Sequence, residues 1–180
     1  MSCEPWQCAE IAATKKANPI TKPEVPVAMI KRAAHPILIV GSNATERSME
    51  GKQLIEYLIE FATASNIQVV ATAHMVGEFL KRGFEPADFM SAMDIGNRLV
   101  DPNWQGTDGK GHPDLALFVA LPYYMESLIL SGLKHFAPDL KTMTLDNLFH
   151  PHATWSFPNA NLKQWANNLT IMTSKFKGGK

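Results

Sequence analysis

A glycine turn that directly follows an apolar run is the first feature of this sequence that could do chemistry. Residues 37–40 read Ile-Leu-Ile-Val, and Gly41-Ser42-Asn43 follows, with Thr45 or Ser48 able to begin a helix. A glycine turn that leads into a helix presents free N–H groups to an anion such as a pyrophosphate. The full G-x-G-x-x-G fingerprint is missing, so a tight turn capped by its own side chains stays open as the other interpretation.

Three histidines are candidates for a general base or a metal ligand. His74 ends the segment Thr72-Ala73-His74 after a second apolar run, but no acidic partner is identifiable near it, so a surface histidine is the alternative. His150 and His152 have ligand spacing, but the proline between them restricts the backbone and no carboxylate or thiol is positioned to complete a site. We therefore predict no metal ligands in this chain.

The segment from Asp101 to Asp114 is an unusually long loop with three glycines and two prolines around Trp104. Its opening resembles a calcium loop, but the twelfth position is His112 and not the bidentate glutamate that calcium needs, which excludes calcium. A loop this long in a compact domain is usually functional, often a binding surface. The alternative is a mobile excursion.

The sequence contains no self-sufficient catalytic centre. We find no Ser/His/Asp order, G-x-S-x-G, P-loop or H-E-x-x-H pattern. The only cysteines, Cys3 and Cys8, are too few for a disulfide framework or a complete cysteine-ligated metal site. We therefore predict no catalytic residues, and any cluster that these cysteines touch would have to be shared with another chain.

The elements that must position these residues are predicted from the apolar pattern. Strands are predicted at 37–40, 67–71, 115–121 and 140–145, and helices at 27–34, 54–62, 75–82, 87–99, 125–136 and 162–172. Within 87–99, Phe89 and Met90 could instead begin a short strand, and Asn161 with Gln164 supplies a capping box for the last helix. Non-alternating strands separated by single helices predict an α/β fold, a doubly wound parallel sheet with helices on both faces.

The domain organisation follows from where this pattern begins and ends. Residues 1–24 contain three prolines and no sustained apolar period, which predicts an arm that is either a flexible terminus or a segment ordered along a partner subunit. Residues 25–176 are predicted to form a single domain, and residues 177–180 a disordered tail.

Composition and charge exclude several classes of function. The chain has 180 residues, enough for one domain, and its 17 basic side chains are matched by 17 acidic ones. A net charge of zero argues against nucleic-acid or anionic-membrane partners, and it suits a permanent place in an assembly. Because no stretch approaches the ~20 apolar residues of a membrane span and cysteines are few, we expect a cytoplasmic protein.

Several segments together resemble one family, the epsilon subunit of the archaeal carbon monoxide dehydrogenase/acetyl-CoA decarbonylase-synthase complex. The most specific segment is D-P-x-W-x-G-x-D-G-x-G at residues 101–111, and the others are residues 35–41, 66–72, 123–124 and 153–159. The resemblance extends over residues 25–172. It implies a Rossmann-like fold of the kind found in flavin- and nicotinamide-binding domains.

The resemblance also implies a function. The chain would be an accessory subunit, not an enzyme by itself, that docks on the large alpha subunit of CO dehydrogenase in an alpha2-epsilon2 assembly within a larger complex. The nickel and iron–sulfur clusters would belong to alpha, and epsilon would stabilise alpha or assist electron transfer to FAD during CO oxidation and acetyl-CoA cleavage or synthesis.

The resemblance implies two sets of site residues. The FAD crevice would be formed by Gly41, Ser42, Asn43, Thr72, Ala73, Pro122 and Tyr123. Partner binding would involve Trp104, Asp108, Trp155 and Phe157. The first turn reads Gly-Ser-Asn in place of Gly-x-Gly, and Ala73 and Ala120 stand at expected glycines. Because side chains there crowd a pyrophosphate, we expect no tightly bound cofactor. The alternative is an independent FAD- or NAD-binding oxidoreductase domain.

Overall fold

Seven parallel strands form the central sheet of the computed structural model, which describes residues 16–72 and 75–178. The strands in chain order are β1 (Asn18–Pro19), β2 (Pro36–Val40), β3 (Ser48–Met49), β4 (Lys52–Gln53), β5 (Gln68–Thr72), β6 (Asp88–Met90), β7 (Leu115–Val119), β8 (Lys141–Thr144) and β9 (Trp155–Ser156). The sheet order is β1-β9-β8-β7-β2-β5-β6, and β3 and β4 form a separate antiparallel hairpin.

Helices cover both faces of the sheet. They are α1 (Glu24–Arg32), α2 (Asn43–Glu46), α3 (Leu54–Ser65), α4 (Met75–Lys81), α5 (Ala92–Val100), α6 (Tyr123–Phe136) and α7 (Leu162–Lys177). One core contains side chains of α1, α3, α4 and α7, and the other contains side chains of α5 and α6. The predicted doubly wound α/β fold is therefore confirmed. Among the residues that the structure describes, no helix is long and apolar enough to cross a membrane.

The two central strands show why the apolar runs predicted the fold. In β2, Leu38 and Val40 point into one core while Ile37 and Ile39 point into the other, and every residue of β7 is at most 2% exposed. A strand that is covered on both faces needs apolar side chains at every position, not at alternate ones. Each such buried side chain contributes about 1.5–3 kcal/mol to the free energy of unfolding.

Helix α7 begins as the sequence predicts. The Asn161 side chain accepts a hydrogen bond from the Gln164 N–H at 2.9 Å, and Gln164 accepts one from the Asn161 N–H at 3.2 Å. The buried Trp165 then donates its indole N–H to the Leu145 carbonyl at 2.7 Å, which fixes the helix to the end of β8. The capping box predicted for this helix is confirmed.

The chain ends differ in detail from the predicted arm and tail. Within the predicted arm, Asn18–Pro19 pairs with β9 at the edge of the sheet, and Ala17 and Ile20 are buried. This part of the segment is ordered by the chain's own sheet, whereas residues 1–15, with Cys3 and Cys8, lie outside the described residues. Helix α7 continues to Lys177, the first residue of the predicted tail.

The sequence analysis missed the short elements β1, α2, β3, β4 and β9. Strand β9 lies between the strand predicted at 140–145 and the last predicted helix, and the segment expected to begin a helix at Thr45 or Ser48 holds the short α2 followed by the β3–β4 hairpin. Positive φ angles at Glu50 (51°) and Gly51 (81°) form the hairpin turn, without the Asn-Gly signal that usually marks it. Strands of two residues carry no periodicity from which to predict them. The alternative strand at Phe89 and Met90 is present as β6.

Candidate functional site

The carboxyl edge of the sheet, where its parallel strands end, is where this topology places ligands. The chain builds β5 and β6 on one side of β2 and then β7, β8 and β9 on the other, so the strand order reverses between β2 and β7. Gly41-Ser42-Asn43 directly follows β2, and Pro122 and Tyr123 follow β7. The fold therefore brings these five predicted crevice residues to the ends of two adjacent strands.

The turn after β2 is in direct backbone contact with the end of β7. The Gly41 N–H donates to the Val119 carbonyl and the Asn43 N–H to the Ala120 carbonyl, both at 2.9 Å. A Cβ on Gly41 would lie 2.3 Å from the Ala120 oxygen, so only glycine fits at this position. Ser42 makes no side-chain capping bond, and α2 after the turn is only four residues long.

This arrangement does not fit a flavin pyrophosphate. A dinucleotide crevice needs free N–H groups in the turn and room for the phosphates to approach the backbone. Here the N–H groups of Gly41 and Asn43 already donate to β7, and the Asn43 side chain lies 3.4 Å from the Leu121 carbonyl. The turn therefore packs against the end of β7 and does not present these two N–H groups to a ligand.

The other predicted crevice residues are Thr72, at the end of β5, and Ala73, which follows it in the sequence. Thr72 is the last residue of that strand, is 5% exposed and lies in register with Met90 of β6. Ala73 and His74 lie outside the described residues. Tyr123 directs its hydroxyl away from the turn and donates to the Phe149 carbonyl at 3.0 Å, in the segment after β8.

A buried triad of ionisable side chains lies behind this edge and was missed by the sequence analysis. It consists of Glu126, Asp146 and His150, which are 0%, 4% and 1% exposed. The Glu126 Oε1 lies 3.6 Å from His150 Nε2, and the Tyr123 ring stacks on the His150 ring with centroids 4.2 Å apart. Candidate ligand atoms of the three side chains all lie within 4.8 Å of one another.

Asp146 is the member of the triad that the backbone holds in place. Both of its carboxylate oxygens accept the Ala120 N–H, at 3.1 and 3.0 Å. Ala120 has a φ of 62°, a left-handed conformation that is unfavourable for alanine, and the paired carboxylate stabilises it. The Arg47 guanidinium lies 3.9 Å from Asp146 and donates to the Asn147 side chain at 2.7 Å.

Burial dominates the electrostatics of the triad. It raises the pKa of Glu126 well above the usual range, and the neighbouring Asp146 charge raises it further. Burial also raises the pKa of Asp146, although hydrogen bonds from Glu126 and the Ala120 N–H oppose this effect. The pKa of His150 falls to about 4 because the ring is desolvated, so this imidazole is neutral at pH 7.

The premise that no carboxylate is positioned near His150 is therefore wrong. Asp146 directly follows β8, and residues after a strand collect at the carboxyl edge. Glu126 shares a helix face with Leu130 and Leu133, both buried, at spacings of four and seven residues. An acidic residue on an apolar helix face is the signal that could have identified this group.

The long loop at residues 101–114 lies at the opposite, amino edge, where the strands begin. Its glycines occupy positions that other residues fit poorly: Gly106 and Gly109 have φ of 71° and 69°, and a Cβ on Gly111 would lie 2.5 Å from His35 Nε2. The Asp114 carboxylate accepts the N–H groups of Ala34 and His35, both at 2.9 Å. The loop is thereby attached to the segment that leads into β2.

A cleft of about 280 Å³ opens between this loop and the starts of β2 and β5. Its polar lining residues are His35, Asn66, Gln68, Thr107, Asp108 and Lys110. The backbone N–H of Lys110 donates to the Asp108 carboxylate at 3.1 Å and lowers the pKa of that group. The cleft is thus lined by neutral amides and one local pair of opposite charges.

Three of the four predicted partner-binding residues lie at this amino edge. Trp104 is half-buried in the loop, Asp108 is exposed, and Trp155 begins β9 beside a second cleft that Asp114 and Lys141 also line. Phe157 is only 2% exposed and lies in the main core, so its side chain is not on the surface. Sequence alone did not separate this core aromatic from the two half-buried tryptophans.

Comparison with known proteins identifies relatives along nearly the whole chain. Residues 1–173 match the family model described as CO dehydrogenase beta subunit/acetyl-CoA synthase epsilon subunit. The chain is 37% identical over 168 residues to the acetyl-CoA decarbonylase/synthase complex subunit epsilon of Methanothermobacter thermautotrophicus, covering 93% of each chain. It is 35% identical over 156 residues to subunit epsilon 1 from Archaeoglobus fulgidus, covering 86% of this chain and 80% of that protein.

Proposed function

This chain belongs to the CO dehydrogenase beta subunit/acetyl-CoA synthase epsilon subunit family, and on that premise we propose that it is an accessory subunit of an acetyl-CoA decarbonylase/synthase complex. We propose that it binds and stabilises the large alpha subunit of CO dehydrogenase in an alpha2-epsilon2 assembly. Nickel and iron–sulfur chemistry would then belong to alpha. The observation that carries this proposal is the relationship to an epsilon subunit over 93% of both chains.

The amino edge is the docking surface that we propose for alpha. The 101–114 loop is held by hydrogen bonds within the loop and to the segment before β2, yet it presents polar side chains to solvent, with the Lys110 side chain 75% exposed. A fixed, exposed loop suits recognition because little conformational entropy is lost when the partner binds. Trp104, Asp108 and Trp155 all lie at this edge, although beside different clefts, which supports the same choice.

Co-expression with the alpha subunit followed by size-exclusion chromatography tests the subunit role. We expect the two proteins to elute together at micromolar concentration. Clean separation of the folded proteins would contradict the proposed subunit role.

Two surface variants then test the docking edge. Lys110→Glu combined with Thr107→Arg changes the charge and size of the amino-edge cleft, and Leu128→Ser is the control because Leu128 is 67% exposed on α6. We expect the double variant to elute apart from alpha and the control to stay bound. If Leu128→Ser elutes apart from alpha and the double variant stays bound, the interface lies on the α5–α6 face, where Met93 and Tyr124 are also exposed. That result would leave the subunit role intact.

From the family resemblance we also propose that the chain assists electron transfer to FAD. The geometry of the turn after β2 does not support this second role. A flavin titration followed by absorbance and fluorescence tests it, both with the chain alone and with the complex. Saturable binding to the complex only would indicate a flavin site that alpha completes. Binding to the chain alone would favour the alternative of an independent flavin-binding domain.

A further inference from the structure

The buried triad has the composition and geometry of a metal site. We propose that Glu126, Asp146 and His150 bind one divalent transition-metal ion of the zinc class as a structural site. The proposal is independent of the subunit role, since it concerns only side chains inside this chain.

The distance between Glu126 and His150 suits a shared metal better than a direct hydrogen bond. Glu126 Oε1 and His150 Nε2 are 3.6 Å apart, beyond the ~2.7–3.2 Å of a nitrogen–oxygen hydrogen bond. Two ligands at about 2.1 Å from a tetrahedral zinc ion lie about 3.4 Å apart. The observed separation is close to that value, and the ligand atoms of all three residues fall within 4.8 Å of one another.

Glu126 is the observation that points to a missing ligand. Its two carboxylate oxygens are fully buried and accept no hydrogen bond from a backbone N–H or a basic side chain of the described residues. Its carboxyl neighbour is Asp146, and two buried carboxyl groups in contact need either a shared proton or a cation between them. Arg47 is paired with Asp146 at 3.9 Å, and its side chain is 30% exposed. One guanidinium does not balance two carboxylates, whereas a divalent cation does.

The donor set indicates which metals fit. One imidazole nitrogen with two carboxylates suits borderline cations such as Zn²⁺ better than soft cations, which prefer thiolates. His150 Nε2 lies 3.6 Å from Glu126 Oε1, so this ring nitrogen is the one placed to bind a metal together with Glu126. The Tyr123 ring covers the imidazole at 4.2 Å and excludes water from that side.

The burial of all three ligands favours a structural site, in which the second Glu126 oxygen, also buried and without an N–H donor, would complete the four ligands of a structural zinc ion. Catalytic zinc sites keep an open position for water or substrate, while structural sites are closed. Here Glu126 comes from α6 and the other two from the segment after β8, and Asp146 is already held by the Ala120 N–H. A bound ion would therefore join these two elements at the point where the strand order reverses.

The test uses the full chain with Cys3→Ser and Cys8→Ser as the background, because these thiols could hold zinc themselves. The protein is refolded with Zn²⁺, passed through gel filtration and analysed for metal content by mass spectrometry. We expect one zinc per chain and a higher melting temperature than in protein refolded with a chelator, since metal binding adds to folding free energy.

Glu126→Gln is the diagnostic variant, because it keeps the side-chain shape and removes a metal ligand. We expect its zinc affinity to fall by more than about tenfold, given that even outer-shell changes cost about 10–100-fold. Asp139→Asn with His135→Gln, both at exposed positions, is the matched control that should retain zinc. His150→Gln is a second variant in case the first folds poorly, and Co²⁺ in place of zinc should give visible absorption bands that both triad variants lose.

Two outcomes would overturn the proposal. The first is wild-type protein that folds with no bound zinc and an unchanged melting temperature. The second is Glu126→Gln protein that binds zinc as tightly as the wild type. Either result would assign the triad to a carboxyl pair in which Glu126 holds a proton and donates it to Asp146.

Discussion

The two edges of this sheet differ in exposure: the chain's own backbone and buried side chains pack against the carboxyl edge, whereas the amino edge carries an exposed loop and cleft. At the carboxyl edge, Gly41 packs its backbone against Ala120, and the buried triad lies behind that contact. At the amino edge, the glycines of the 101–114 loop shape an exposed cleft instead of closing one. Between β2 and β7, where Rossmann-like folds usually bind ligands, the described chain fills the edge with its own backbone, and the exposed D-P-x-W-x-G-x-D-G-x-G segment lies at the other edge.

This contrast bears on how the fold is used. A nucleotide-binding domain keeps its carboxyl edge open so that phosphates can reach backbone N–H groups. In this chain the same N–H groups connect β2 to β7, which stabilises the domain and leaves less room for a cofactor. This is consistent with the proposal that the fold carries a docking surface for a partner and does not hold a nucleotide.

Replacing Gly41 by alanine should have the largest effect on stability. The new Cβ would lie 2.3 Å from the Ala120 oxygen and 2.5 Å from the Leu121 Cα, so two backbone segments must separate. We expect a loss of about 3 kcal/mol or more in the free energy of unfolding, measured by urea denaturation. Gly132→Ala is the control, because nothing lies within 4 Å of its added Cβ in the middle of α6, and it should add about 0.5–1 kcal/mol. Equal stabilities for the two variants would mean that the carboxyl edge is not closed.

Replacing Asp114 by alanine should have an intermediate effect at the amino edge. The change removes the acceptor for the N–H groups of Ala34 and His35, and we expect it to cost about 1–3 kcal/mol. Asp139→Ala, at an exposed position, should stay within about 0.5 kcal/mol of the wild type. Thermal unfolding of the three proteins compares them, and an unchanged Asp114→Ala variant would show that the loop is not attached through this carboxylate.

Replacing Gly111 by alanine should have the smallest effect on stability but a clear effect on docking. The Cβ would contact the His35 imidazole at 2.5 Å, and a side chain can move where a backbone cannot, so we expect a loss of about 1 kcal/mol. Because the loop shifts, binding to alpha should weaken in a pull-down assay. Gly41→Ala, assayed at a temperature where it is folded, should bind normally. If Gly41→Ala loses binding and Gly111→Ala keeps it, the roles of the two edges are reversed.

Much of the fold was predictable because long apolar runs leave few alternatives. β7, buried throughout, could only be a central strand, and the pattern of α7 with its Asn161 cap defined a helix. The two-residue strands β1, β3, β4 and β9 could not be predicted, since pairing with distant segments, not local pattern, defines them.

The sites were less predictable, for two different reasons. The triad joins Glu126 to residues 20 and 24 positions later, and only the packing of α6 against the segment after β8 brings them together. The position of the 101–114 loop, by contrast, was available from the sequence. A segment that leads into a parallel strand lies at the amino edge, and this loop leads into β7.

Hydrogen–deuterium exchange on the chain with and without the alpha subunit tests whether alpha docks at the amino edge. We expect alpha to slow exchange across residues 101–111 of the amino-edge loop and to leave residues 146–150 at the carboxyl edge unchanged. Absence of any protection, or protection confined to the carboxyl edge, would contradict docking at the amino edge.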